Sequence, residues 1–108
     1  MRIKVATDFS DTPGARYYND GEFSGQQFYE KVLRPAFRAC IEKGEMLEVD
    51  CDDCYGFPSS FISESFGKLS TEFGRDTVLR GMVIVTQHDP LLPEQIKSVI
   101  VNPGKKAT

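Results

Sequence analysis

Acidic and hydroxyl side chains are concentrated in one short segment of the chain. Asp50, Asp52 and Asp53 follow an apolar stretch, and Ser59 and Ser60 stand where a helix is predicted to begin. Carboxylates are ligands that Mg²⁺ prefers, and the amides at a helix N-terminus attract phosphate. The segment therefore offers a metal site, an anion site or a serine that a kinase modifies. Capping of the helix is the commonest role of serine at this position and is the favoured interpretation from residue types.

An enzyme built around Asp50 would need further groups from other parts of the chain. Asp8 and Asp11 follow the first predicted strand and add carboxylates, but no lysine follows Val85 at the end of the last strand. His88 is the only histidine, so any Ser–His or Cys–His pair would have to use it. A solvated acidic loop fits these residues better than a catalytic centre.

Cys40, Cys51 and Cys54 are the only cysteines, an odd number that fits reduced thiols in a reducing compartment. Cys51 and Cys54 form a single CxxC pair, whereas a structural zinc ion takes four ligands. The two aspartates between them would raise the pKa of the thiols, which is the opposite of what a redox cysteine needs. The sequence therefore predicts no metal and no other cofactor.

Arg16 and Tyr17 place a cation beside an aromatic ring and are candidate residues of a binding loop. The structural alternative is an arginine whose stem stacks on a neighbouring tyrosine, which is a common contact. The phosphate-loop signatures of nucleotide-binding enzymes are absent from the chain.

The composition limits the classes of partner. The 108 residues suffice for one domain, 1–108, with a polar tail at about 102–108. Thirteen basic residues against sixteen acidic residues give a net charge of −3, which argues against nucleic acid as a partner. No apolar run approaches the roughly 20 residues that span a bilayer, and the first residues are too polar for a signal peptide. We therefore expect a cytoplasmic protein without a membrane partner.

The spacing of apolar residues predicts three strands and three helical regions. The strands are predicted at 2–7, 46–51 and 82–86. The helices are predicted at 24–43, either as one helix kinked at Pro35 or as two helices over 24–33 and 35–43, at 59–73 and at 93–101. This strand-helix-strand-helix-strand-helix order indicates an α/β fold in which a right-handed crossover joins the parallel second and third strands.

Three stretches together resemble a known family. They are Asp8-Phe9-Ser10 through Pro13-Gly14-Ala15-Arg16-Tyr17, then 20–28 with Leu33-Arg34-Pro35, and 55–67. The pattern is similar to the bacterial STAS-like domain family of unknown function, over about residues 5–101. Its most specific part is Ser59-Ser60-Phe61 with Glu64 and Phe66-Gly67, where Lys68 replaces the family's second glycine. The resemblance implies a STAS-type fold, a mixed sheet with helices mainly on one face.

The resemblance also implies a function. In STAS anti-sigma-factor antagonists, a partner kinase phosphorylates a serine that opens the equivalent helix, and the phosphate abolishes docking. By position Ser59 matches that serine, with Ser60 beside it, whereas Pro58 and Phe61 depart from the family pattern. The implied function is a non-enzymatic regulatory module that binds a protein partner, such as a histidine-kinase-like ATPase. The residues of the implied partner surface are Phe57, Phe61, Glu64 and Lys68.

Two alternatives remain open at the level of sequence. The first is a domain that binds a small anion or a nucleotide at the N-terminus of the same helix. The second is a small metal-dependent enzyme that uses Asp50 and His88. The oligomeric state is left open.

Overall fold

Three parallel strands form a single sheet. The computed structural model describes residues 1–103, so most of the predicted tail at 102–108 lies outside the described residues. The strands, in spatial order, are β1 (Arg2–Lys4), β2 (Leu47–Asp50) and β3 (Met82–Val85). The expected mixed sheet is wrong, because helical segments follow β1 and β2 and return the chain to the edge where it started.

The first strand is shorter than the predicted strand at 2–7. A helical turn, α1 (Val5–Asp8), replaces its second half. The Asp8 carboxylate accepts a hydrogen bond from the amide of Lys4 at 2.7 Å, and the amides of Phe9 and Ser10 bond to the carbonyl of Val5. These local bonds satisfy the backbone without a neighbouring strand, which is why the alternating pattern ends at Lys4.

The second helical region is one helix, α2, over residues 25–43. Ser24 caps it by accepting from the amide of Gln27 at 3.0 Å, as predicted. Pro35 does not break the helix, because a π-turn precedes it and the amide of Arg34 bonds to Tyr29, five residues back. Gly44 ends the helix with a φ of 67°, as its position predicted. The consecutive segments of α2 are Gly25–Phe28, the π-turn Tyr29–Leu33, and Arg34–Lys43.

The remaining helices lie on either side of β3. Helix α3 spans residues 59–73 as predicted, and the sequence analysis did not predict α4, which precedes β3. No helix within residues 1–103 is long and apolar enough to cross a membrane. The consecutive segments are, for α3, Ser59–Ile62, the π-turn Ser63–Gly67 and Lys68–Phe73, then α4 (Arg75–Gly81) and α5 (Leu92–Val101), with a short 3-10 turn, Tyr18–Asp20, before α2.

The two faces of the sheet differ in their cover. Ile3, Leu47 and Val49 point into the core beneath the helices and are at most 8% exposed. On the opposite face the side chains of Arg2 and Glu48 are about half exposed and pair with each other at 2.6 Å. Parallel sheets are usually covered on both faces, so this sheet keeps one polar face open.

Helices α2 and α3 approach each other closely and are joined at both ends. A Cβ atom placed on Gly25 would lie 2.6 Å from the backbone oxygen of Phe61, closer than real carbon atoms come. At the other end, the Tyr29 hydroxyl donates to the Glu72 carboxylate, and Arg34 Nε lies 2.8 Å from it. These bonds, with the Tyr29 hydroxyl first, hold the pKa of Glu72 below its ordinary value. Glycine is therefore required where the two helix backbones meet.

Gly25→Ala tests this close approach. Alanine favours a helix by up to about 1 kcal/mol over glycine, but here its methyl group would push α2 and α3 apart. We expect a net loss of about 1–3 kcal/mol in the free energy of unfolding, measured by urea denaturation. Gly14→Ala is the matched control, because its Cβ would lie at an ordinary 3.5 Å from the nearest backbone oxygen. An unchanged urea midpoint for Gly25→Ala would contradict the contact.

Candidate functional site

A groove of about 220 Å³ runs between the start of α3 and the length of α5. The chain reaches α3 from the end of β2 and reaches α5 from the end of β3, which is where open α/β sheets bind ligands. One half of the lining is apolar and the other half carries a serine, a glutamine and a second serine. The lining residues are Phe57, Ser59, Ile62, Gln95, Ser98 and Val99.

Ser59 and Ser60 do not cap α3, so the capping interpretation is wrong. Pro58 occupies the N-cap position, its carbonyl accepts from the amide of Ile62 at 3.1 Å, and no side chain caps the helix. Ser59 is therefore the first residue of the helix and Ser60 the second. Ser59 is exposed and lines the groove, whereas Ser60 is half-buried outside the lining. The chain positions an uncapping hydroxyl group at the mouth of the groove.

Phe61 does not contribute to a partner surface, which corrects the assignment made from the resemblance. Its side chain is fully buried, with ring centroids 5.6 Å from Phe28 and 5.9 Å from Phe57. The π-turn explains the error, because it places Phe61 and Phe66, five residues apart, on the same side of α3. Both rings pack against Phe28, whereas a regular helix aligns residues three or four apart.

Glu64 and Lys68 form an ion pair on α3, with Oε2 and Nζ 3.1 Å apart. Lys68 Nζ also lies 5.9 Å from the centre of the Tyr29 ring in α2. These two residues therefore face α2 and do not line the groove. Of the predicted partner surface, only Phe57 adjoins Ser59 in the groove.

The three aspartates bind three different partners. Asp50 pairs with Arg2 at 2.7 Å and accepts from the amide of Asp52 at 2.9 Å, while Asp53 pairs with Lys4 at 2.6 Å. Within residues 1–103, no three carboxylate, cysteine or histidine side chains come together in a way that would hold a metal ion. The loop acids therefore act as separate anchors of the loop after β2.

Asp52 ties the loop after β2 to the loop after β3. Its carboxylate accepts from the Thr86 hydroxyl at 2.6 Å and from the amides of Gln87 and His88 at 2.9–3.2 Å. The Thr86 hydroxyl, followed by these amides, holds the pKa of Asp52 below its ordinary value. The loop that leads to α5, and so to one wall of the groove, is thus fixed by a single carboxylate. The sequence offered no signal for this contact beyond a polar residue after each strand.

His88 and the candidate binding loop lie outside the groove lining. The amide of His88 donates to Asp52, and its exposed position gives the predicted enzyme no nucleophile partner among the groove residues. The Arg16 guanidinium lies 5.9 Å from the centre of the Tyr17 ring, as in the structural alternative. Gln95 and Ser98 were missed, because only the packing of α5 beside α3 brings them to Ser59.

Replacing Asp52 by asparagine tests the tie between the two loops. The amide side chain keeps its shape but loses the charge that attracts the two backbone amides. Hydrogen exchange at the amides of Gln87 and His88 should become faster in Asp52→Asn than in the wild type. Asp53→Asn is the control, because Asp53 pairs with Lys4 instead and should leave both exchange rates unchanged. Equal rates in all three proteins would show that the carboxylate does not hold the loop.

The two thiols of the CxxC pair should react slowly. Burial raises the pKa of Cys51 to about 12 and that of the half-buried Cys54 to about 11. Because only the thiolate attacks, the rate of alkylation by iodoacetamide at pH 8 should be far below that of free cysteine. The rate should rise with pH up to about 11, first at Cys54, as mass spectrometry can follow. The urea-unfolded chain is the control, and rapid labelling of the folded chain at pH 8 would refute the burial of these thiols.

Comparisons with known proteins identify the family of this chain. No curated protein and no solved structure matches it. A family model described as "STAS-like domain of unknown function (DUF4325)" matches residues 24–90, which is more than half of the chain. This match covers α2 to β3, including Ser59, and confirms the resemblance noted in the sequence. The chain therefore belongs to the STAS-like domain family of unknown function.

Proposed function

We propose that this chain is a non-enzymatic regulatory module that docks a cytoplasmic protein partner in the groove between α3 and α5. Phosphorylation of Ser59 releases that partner. The observation that carries the proposal is the position of Ser59, whose hydroxyl is exposed at the groove and is not used as a helix cap. A phosphate added there would stand directly in the docking surface.

The lining of the groove favours a protein over a small anion. None of its residues is basic, so a nucleotide phosphate would find no countercharge there. Phe57, Ile62 and Val99 give the groove an apolar half. On the two loops that lead into it, Tyr55 and Leu91 are 86% and 69% exposed. Exposed aromatic and aliphatic side chains beside a concave surface are typical of protein interfaces.

The fold can carry the phosphate without loss of structure. A phosphate on the first residue of α3 lies near the positive end of the helix dipole, where negative charge is favourable. Docking is weakened instead, because a partner would have to desolvate about two negative charges against an apolar wall. The switch therefore changes the surface and leaves the core intact.

A histidine-kinase-like ATPase of the same organism is the partner class that family membership favours. Such a kinase both binds the module and supplies the phosphate from ATP. Docking in the groove predicts that the amides of residues 57–63 and 95–99 change most in an NMR titration with the ATPase domain. Changes confined to other surfaces would place the partner elsewhere.

Ser59→Asp tests the proposed switch. We expect the affinity for the ATPase domain to fall at least about tenfold, equivalent to about 1.4 kcal/mol of binding free energy, by calorimetry. Ser60→Asp is the matched control, because it adds the same charge to the same helix outside the groove lining. It should change affinity much less. Equal affinities of the wild type and Ser59→Asp would refute the switch, and mass spectrometry after incubation with ATP tests whether Ser59 accepts the phosphate.

A further inference from the structure

The outer edge of β3 differs from the outer edge of β1. Strand order places β1 and β3 at the two edges of the sheet described over residues 1–103. The β1 edge carries Arg2 and Lys4, which are charged residues of the kind that discourage pairing with another strand. The β3 edge, Met82–Val85, has neither a charge nor a proline. It therefore lacks the usual protection of an edge strand.

The backbone of β3 presents hydrogen-bonding groups to this edge. The carbonyl of Val85 accepts from the amide of Cys51, on the side of β2. Hydrogen-bonding directions alternate along a strand, so the N–H and C=O groups of Ile84 point away from β2. On the open face of the sheet, Val83 is 40% exposed and Val85 is half-buried, whereas β1 and β2 place charged side chains on that face. The apolar part of the open face thus lies at the β3 edge.

A second groove runs along the same edge, between α4, β3 and α5. It has a volume of about 340 Å³ and an apolar floor to which Val78, Leu79 and Ile100 contribute. Its rim on α5 carries one acidic and one basic residue, Glu94 and Lys97, both exposed. Opposite charges three residues apart on one helix are complementary to the same helix turned antiparallel.

We propose that a second copy of this chain pairs with the β3 edge. The two β3 strands run antiparallel about a twofold axis at Ile84, whose N–H and C=O groups bond to those of Ile84 in the other copy. The axis brings the two α5 helices side by side, so Glu94 of each copy faces Lys97 of the other. Val83 and Val85 of both copies meet at the centre of a continuous six-stranded sheet. The α3–α5 groove lies on the other side of α5 and remains open in this dimer.

Sedimentation equilibrium tests the proposal at protein concentrations up to about 1 mM, the Kd at which association is worth about 4 kcal/mol. The wild type should show a monomer–dimer equilibrium. Lys97→Glu converts two attractive pairs into two repulsive ones and should raise the dissociation constant about tenfold. The double variant Glu94→Lys with Lys97→Glu restores complementarity and should restore the dimer. Lys31→Glu, a charge reversal on α2 away from β3, is the matched control and should change nothing.

Ile84→Pro tests the backbone pairing separately. It removes the outward N–H group that β2 does not use, and it should abolish the dimer while circular dichroism shows the helices intact. A wild type that stays monomeric up to about 1 mM would overturn the proposal. So would a dimer that Lys97→Glu leaves unchanged, or one that the charge swap fails to restore.

Discussion

The close packing of α2 on α3 determines where most other parts of this protein lie. Gly25 lets the two backbones touch, and the rings of Phe28, Phe61 and Phe66 fill the space beside that contact. Because α2 lies against α3 in only one position, the start of α3 is fixed relative to the sheet. Ser59 therefore has a defined place in the molecule even though it is exposed and makes no helix cap.

The second wall of the groove depends on a contact of a different kind. Asp52 holds the loop after β3 through one hydroxyl and two amides, and α5 begins five residues beyond Thr86 or later. An apolar contact therefore places one wall and a charged hydrogen-bond network places the other. The packing is independent of pH, whereas the network requires an ionised carboxylate and weakens as the pH falls toward the lowered pKa of Asp52.

The helices and strands with strong periodicity were predictable, and the features that break periodicity were not. The apolar run at Met82–Val85 and the stripe in α3 identified their elements, and Ser24 marked the start of α2. Phe61 was misplaced because a π-turn changes which residues share a helix face. Ser59 was found from its type and position, whereas Gln95 and Ser98 came from α5. Their nearness to Ser59 depends on tertiary packing, which local spacing does not encode.

The π-turn Ser63–Gly67 also sets the rotational phase of α3. One residue of helix corresponds to about 100° of rotation about the axis, so removing a single residue from this turn would convert it to regular helix. With Phe66 and Leu69 held in the core, everything before the deletion would turn by about that angle. Ser59 would then point away from the groove although its neighbours in sequence were unchanged. The length of this turn, as much as the serine itself, decides whether the hydroxyl group faces a docked protein.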